Sequence, residues 1–268
     1  MKFYISADIE GVTGICNWNE TEKGTGDYRE YANQMTLEVK AACDAIIKAF
    51  PEEKVEILVK DAHDSARNID PRKLPDIVKL YRGWSGDPRL MMDGLDETFD
   101  GVIYIGYHSN GFSGNNPLSH TLSTDINYIK INGDYASEFL INAYTASLYN
   151  VPSIFVSGDM GLCEDAMGII PTIDTVPVNQ GIGAASISIN PDMAIELIEK
   201  NVMESVKNIQ NKKLLAMPEY FEVEICYKKH TTAYRKSFYP GCELIDSNTI
   251  KFQSENYYEV LRAFMFIA

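Results

Sequence analysis

Histidine is scarce in this 268-residue chain, with four in all, and positive charge is outnumbered: 24 Lys and Arg against 38 Asp and Glu give a formal charge of −14. No Lys/Arg-rich block occurs, which argues against the clustered basic surface that a nucleic-acid partner requires. No apolar stretch approaches the roughly 20 residues that span a bilayer, so no membrane partner is expected. The five cysteines (Cys16, Cys43, Cys163, Cys226, Cys242) are odd in number, widely spaced and without a C-x-x-C pair. That usage suits reduced thiols, not a disulfide framework. The N-terminal residues enter an apolar run at once, with neither the h-region nor the cleavage site of a secretory signal, and a cytoplasmic location is expected. What is present, 45% hydrophobic and 23% charged residues, is ordinary for a soluble globular chain long enough for one large domain or two moderate ones.

Strand-like and helix-like segments alternate along the chain. Residues 2–7 form a continuous apolar run of the kind that is buried in a sheet. Asp27-Tyr28-Arg29-Glu30 has the spacing of a capping box, and Met35, Val39, Ala42 and Ile46 then recur at helical intervals until Pro51. Val55, Ile57 and Val59 predict a second strand, and Asp76–Tyr81, Val102–Tyr107 and Pro152–Ser157 predict others. Glu138 opens a helix running to about Tyr149, and Asn190-Pro191 starts another. After Pro218 the pattern changes, because Phe221, Val223, Ile225 and Tyr227 alternate as in a half-buried strand. A Thr249–Gln253 strand and a final helix over roughly Asn256–Ile267 follow. The alternation predicts an α/β fold with a largely parallel or mixed sheet covered on both faces, and a boundary in the region 180–210.

Chemistry-bearing residues cluster at the ends of these predicted strands. Asp8 and Glu10 follow the first strand two residues apart, so in extended geometry they share a face, with Cα atoms about 7 Å apart. A lone D-x-E pair is usually just solvated; two carboxylates held this close call for a cation between them when strong ligands lie nearby. His63 follows the second strand, flanked by Asp61 and Asp64, which are placed to orient its imidazole. His108 ends the Val102–Tyr107 strand, where Gly106 permits close backbone approach. His120 lies twelve residues further on, in a Gly/Asn-rich loop that can fold back over the rim. Its position suits proton transfer at neutral pH. His230, in Lys228-Lys229-His230, reads as a surface residue. Each histidine alone is more often structural than metal-bound, but a single metal site at the carboxyl rim of an α/β sheet accounts for them jointly.

Ser6-Ala7-Asp8-Ile9-Glu10-Gly11 resembles the N-terminal S-x-D-x-E-G signature of the D-aminopeptidase metallopeptidases encoded in dipeptide-transport operons. Val59-Lys60-Asp61-Ala62-His63-Asp64-Ser65 is similar to that family's second motif, and Met92-Asp93-Gly94-Leu95-Asp96 through Ile105-Gly106-Tyr107-His108 to its third. Ser119-His120, then Gly133-Asp134-Tyr135-Ala136-Ser137-Glu138 with Asn142-Ala143-Tyr144, resemble the fourth and fifth. The motifs cover roughly residues 1–180, with weaker similarity through Pro240-Gly241 to the end. The resemblance implies a three-layer α/β/α catalytic domain (residues 1–195), a smaller α+β C-terminal domain (residues 196–268), and ring-like homo-oligomers. It implies that Asp8, Glu10, His63, His108 and Glu138 bind two zinc ions per subunit, with Asp8 bridging, and that His120 is the catalytic residue. Other divalent ions are compatible with the set. The family often carries basic residues near positions 179 and 184, where this chain has Asn179 and Ala184, so contacts to a substrate carboxylate or a neighbouring subunit are expected to differ.

The function so implied is hydrolysis of the N-terminal peptide bond of short peptides, D-amino-acid peptides among them, by a zinc-activated water. A non-catalytic peptide-binding protein associated with dipeptide transport would need no metal. A dinuclear-metal phosphoesterase would be expected to have a glycine-rich phosphate cradle or an arginine cluster near the motifs, and neither occurs.

Overall fold

Along the chain of the computed structural model, which describes residues 1–268, β1 (Lys2–Ala7) leads through a long loop into α1 (Tyr28–Ala49), followed by β2 (Glu56–Asp61), β3 (Val78–Tyr81) and β4 (Gly101–Tyr107). Then come β5 (Ile126–Ile131), β6 (Asp134–Tyr135), α2 (Glu138–Leu148), β7 (Ser153–Asp159) and α3 (Met160–Ile169). The remainder comprises β8 (Asp174–Ile182), β9 (Ala185–Ser188), α4 (Pro191–Lys207), β10 (Phe221–Tyr227), α5 (His230–Lys236), β11 (Cys242–Leu244), β12 (Thr249–Ser254) and α6 (Tyr257–Ile267).

Seven strands form the larger sheet in the order β3-β2-β1-β4-β7-β8-β9, and every pairing is parallel except β8 with β9. Its central strands β1, β4 and β7 are buried along nearly their whole length because both faces are covered, as parallel sheets require. Phe3, Ile5, Ile57, Val59, Ile103 and Ile105 pack on one side with α1 and α4. Tyr4, Val102, Tyr104 and Val156 point to the other side, where α2 and α3 lie. The α/β fold with a mostly parallel sheet, expected from the sequence, is the one observed.

A second, antiparallel sheet runs β11-β12-β10-β5-β6. Phe221, Val223 and Ile225 point into the core shared with α2 and α6, and Tyr257 of α6 donates a hydrogen bond to the carbonyl of Ile141 at 2.7 Å. The division expected between residues 195 and 196 falls inside α4, which packs on α1 and β8 of the larger sheet. Residues 126–135 contribute two strands to the sheet otherwise built after residue 220.

One local expectation is corrected. Asp27 is the N-cap of α1 but makes no side-chain cap bond, since its φ of −90° and ψ of −18° are already helical. An N-cap side chain reaches the first free N–H groups from extended backbone. The capping box is instead Asn17 with Glu20, on a short 3₁₀ turn over Trp18–Glu20.

Candidate metal centre

From β1 the strand order runs outward in two directions, to β3 on one side and through β4 and β7 to β8 on the other. At such a switch point the connections diverge and open a crevice beyond the carboxyl ends of the strands. Asp8 and Glu10 follow β1, His63 follows β2 and His108 follows β4, so all four side chains enter that crevice from adjacent strands. His120 arrives on the loop before β5, and Glu138 is the first residue of α2, whose N-cap Ser137 accepts a hydrogen bond from the Leu140 N–H.

Close backbone approach makes this convergence possible. The N–H groups of Asp8 and Gly11 donate to the carbonyls of Ile105 and Gly106 at 2.8 and 2.9 Å, extending the pairing of β1 with β4 past the strand ends. A Cβ on Gly11 would lie 1.7 Å from the Tyr107 carbonyl oxygen, and one on Gly106 would lie 2.3 Å from the Asp8 carbonyl oxygen. Gly106 also has φ +73°, in the left-handed region.

The six predicted residues come together. Asp8 Oδ1 lies 3.4 Å from His63 Nδ1, and Asp8 Oδ2 lies 3.4 Å from His108 Nε2. Glu10 Oε2 is 3.1 Å from the same His63 nitrogen, and Glu138 Oε2 is 3.4 Å from the same His108 nitrogen. Asp8 therefore stands between two acid–imidazole groups and presents one oxygen to each. His120 stacks on His108 with ring centroids 4.4 Å apart and planes inclined by 8°, and its Nε2 is 3.6 Å from Glu138 Oε1.

Imidazole orientation comes from the main chain. His63 Nε2 meets the Thr21 carbonyl at 3.0 Å, His108 Nδ1 the Ser109 carbonyl at 2.9 Å, and His120 Nδ1 the Leu118 carbonyl at 3.0 Å. Each imidazole thus donates through one nitrogen and turns the other into the cluster. The expectation that Asp61 or Asp64 orients His63 is corrected. The Asp61 carboxylate accepts from the N–H groups of Asn68 and Ile69 and from the Asn68 side chain, which in turn donates to the His63 carbonyl. Asp64 is exposed on backbone with φ 45°.

Burial and mutual charge dominate the electrostatics. Burial, reinforced by the neighbouring Glu10 charge, pushes the Asp8 carboxyl well above its usual range. Burial also opposes charge on Glu10 and Glu138. The imidazolium of His63 overcomes it at Glu10 and that of His108 at Glu138, so Glu10 falls well below the carboxylate range and Glu138 to about 2. Burial likewise disfavours protonated His63 and His108, yet the surrounding carboxylates, chiefly Glu10 and Glu138 respectively, raise both well above the ordinary imidazole value. His120 moves the other way: burial and the adjacent His108 lower it. The cluster is a concentration of negative charge that draws in cations, protons included.

Three buried atoms at its centre, Asp8 Oδ2, Glu10 Oε2 and His108 Nε2, have no hydrogen-bond partner. Orphaned polar atoms of this kind are costly unless something else satisfies them. Oxygen and imidazole nitrogen donors aimed at a shared space are the ligand set that zinc and similar divalent ions accept, so the residues present fit a metal site.

Asp159 and Trp84 were not singled out from the sequence. Asp159, at the end of β7, accepts from the N–H and Oγ of Ser109 at 2.6 and 2.5 Å, from the Leu162 N–H at 2.9 Å and from Asn116 Nδ2 at 3.3 Å. It anchors the loops that carry His108 and His120. Asn179 donates to the Val12 and Gly11 carbonyls at 3.2 and 3.4 Å, clamping the loop beyond Glu10, whereas Ala184 is exposed in the turn between β8 and β9. Trp84 and residues of α6 line the cavity in front of the cluster. No helix is long and apolar enough to cross a membrane.

A parallel sheet carrying paired acids and imidazoles where its strand order reverses belongs to a metal-dependent hydrolase. The model of the D-aminopeptidase family matches residues 1–266. The D-aminopeptidase of Bacillus subtilis (strain 168) is 29% identical over 269 residues, an alignment covering 99% of this chain and 96% of the relative. The solved structure of the Zn-dependent D-aminopeptidase DppA from Bacillus subtilis, a self-compartmentalizing protease, superposes with a TM-score of 0.91 at 28% identity, covering 100% of this chain and 96% of the other. The chain belongs to the D-aminopeptidase family and is an aminopeptidase by class.

Proposed function

We propose that this protein is a zinc-dependent aminopeptidase that removes the N-terminal residue of short peptides, including those of D-amino acids, and that it holds two ions per chain. His63 and Glu10 would hold one, His108 and Glu138 the other, and Asp8 would bridge them. The observation that carries this reading is the placement of the two Asp8 oxygens, each 3.4 Å from a different imidazole nitrogen. Names borne by the relatives, D-aminopeptidase and a zinc-dependent self-compartmentalizing protease, support the substrate class, the metal and a closed homo-oligomer; the cysteine usage supports a cytoplasmic location.

When bound, paired zinc ions supply Lewis acidity and activate water near neutral pH. The remaining steps fall to side chains. His120 donates through Nδ1 to the Leu118 carbonyl, which leaves Nε2 as the basic atom, and its lowered proton affinity keeps that nitrogen free at neutral pH. His120 Nε2 would take the proton released by the attacking water and pass it to the departing amine, a role worth roughly 10²–10⁴-fold in rate. The free α-amine of the substrate would be held at this centre, which would orient the peptide by its N-terminus. His108 is fully buried, so bulk water does not compete at its face of the site.

Elemental analysis coupled to turnover tests the proposal. The wild-type protein is expected to carry two zinc ions per chain and to hydrolyse D-Ala-D-Ala or L-Ala-L-Ala but not a generic phosphodiester. Asp8→Ala should lose metal and activity together. His120→Ala should retain metal and lose turnover by roughly 10²–10⁴-fold. A fully active His120→Ala, or peptide hydrolysis undiminished after metal is stripped, overturns the assignment.

A further inference from the structure

The cavity that opens onto the candidate metal centre has two chemically different sides. Its lining joins Asp8, His63, His120 and Glu138 to the apolar side chains of Trp84, Leu122, Phe264 and Met265, with neither Lys nor Arg. At about 420 Å³ it lies toward the small end of ligand pockets, roughly 300–1,000 Å³, and suits a short peptide.

Trp84 is an unusual residue to leave uncovered, at 44% exposure, yet it is firmly held. Its indole N–H donates to the Asp64 carbonyl at 2.7 Å, and the ammonium of fully buried Lys60 lies 4.2 Å from its ring centroid. Lys60 in turn donates to the Gly83 carbonyl at 2.5 Å. These contacts anchor both the ring and the chain that carries it. A rigid, half-exposed aromatic surface beside a reaction centre loses little conformational entropy when a ligand packs on it. Within the cavity lining, α6 supplies buried Phe264 and Met265, the latter 37% exposed.

We infer that Trp84, Leu122, Phe264 and Met265 form a specificity wall that receives an apolar side chain on the N-terminal residue of the substrate. The inference rests on the aminopeptidase reading and adds its side-chain preference. The aminopeptidase reading places the substrate's free α-amine at the metal centre on which Asp8, His63 and Glu138 converge. The N-terminal residue bears that amine and its side chain on the same Cα, so a residue anchored at the centre presents its side chain to the adjacent apolar wall. An acidic side chain there meets apolar surface with neither Lys nor Arg in the lining to pair it, and is rejected.

Steady-state kinetics on the zinc-loaded enzyme with X-Gly dipeptides (X = Leu, Ala or Glu), in whichever stereochemical series the enzyme cleaves, test the wall. The wild type is expected to favour Leu over Ala by about tenfold or more in kcat/KM, with Glu poorer than either. Trp84→Ala and, independently, Met265→Ala should compress the Leu/Ala ratio by about fivefold, mainly through KM, with zinc content unchanged. Trp84→Phe should retain part of the preference. A wild type that favours Ala or Glu, or a Leu/Ala ratio unmoved in both alanine variants, overturns the wall while leaving the aminopeptidase reading intact. Failure to cleave any peptide overturns that reading, and the wall falls with it.

Discussion

At the scale of single residues, the site depends on places where a side chain is absent. Gly106 brings β4 against the loop bearing Asp8, and an added methyl would be driven into the Asp8 carbonyl on backbone that already disfavours a Cβ. Gly106→Ala is therefore expected to cost about 2–4 kcal/mol, combining strain at positive φ with overpacking, and to weaken zinc binding by displacing Asp8. Gly133 is the control. It has φ +89° in the hairpin between β5 and β6, with nothing within 4 Å of its missing Cβ. Gly133→Ala should cost only the conformational part, about 1 kcal/mol, and leave zinc affinity unchanged. Urea denaturation of both variants with parallel zinc titrations would show whether the two effects separate. The sequence reading of Gly106 as a point of close approach came from its place before His108. The Thr21 carbonyl that orients His63 was not legible, because a backbone oxygen has no sequence signature and acquires its role only when the loop after β1 folds across the crevice.

Among whole elements, those with a clear apolar run, period or terminator were readable, the four-residue β3 included, whereas β5, β8 and α3 were not. The predicted helices at Glu138 and Asn190-Pro191 start where expected, and β10, β12 and α6 follow the alternation and periodicity after Pro218. β5 was overlooked although Ile126, Ile129 and Ile131 are buried, since Asn127, Tyr128 and Lys130 between them blur the two-residue period. α3 spans only Met160–Ile169, too short to declare itself, and its start is fixed by Asp159, which also holds the Ser109 loop. That double duty makes Asp159 the element-scale keystone. Asp159→Ala would orphan the buried Ser109 N–H while removing the cap of α3. Hydrogen bonds to a charged acceptor are worth about 1.5–3 kcal/mol each, so a loss of on the order of 3 kcal/mol is expected. Ser137→Ala, which removes only the cap of α2, should cost about 1 kcal/mol. Equal destabilisation of the two variants in chemical denaturation would contradict the role given to Asp159.

For the whole molecule, the cluster couples folding to pH, and the direction depends on whether metal is bound. Without metal, Glu10 and Glu138 have proton affinities lowered by folding, Glu138 to about 2, so they stabilise the fold above the ordinary carboxylate pKa, and that contribution is lost as pH falls through their folded values. His63 and His108 are raised, so their contribution is complete below the ordinary imidazole value of about 6.5 and is lost as pH rises through the folded values. Asp8, also raised, adds a loss that sets in above the ordinary carboxylate pKa as pH rises through its folded value. The site's own contribution to the metal-stripped fold should therefore be greatest in mildly acidic solution and decline toward pH 9. Zinc reverses the alkaline trend, because it binds the deprotonated imidazoles and carboxylates and occupies the place that protons otherwise fill. The difference in Tm between zinc-loaded and metal-stripped protein should consequently widen steadily from pH 5.5 to pH 8.5. Calorimetric scans across that range on matched samples measure it. A gap that stays constant or narrows would mean that the five residues do not exchange protons for metal, and that their convergence at the rim serves the fold alone.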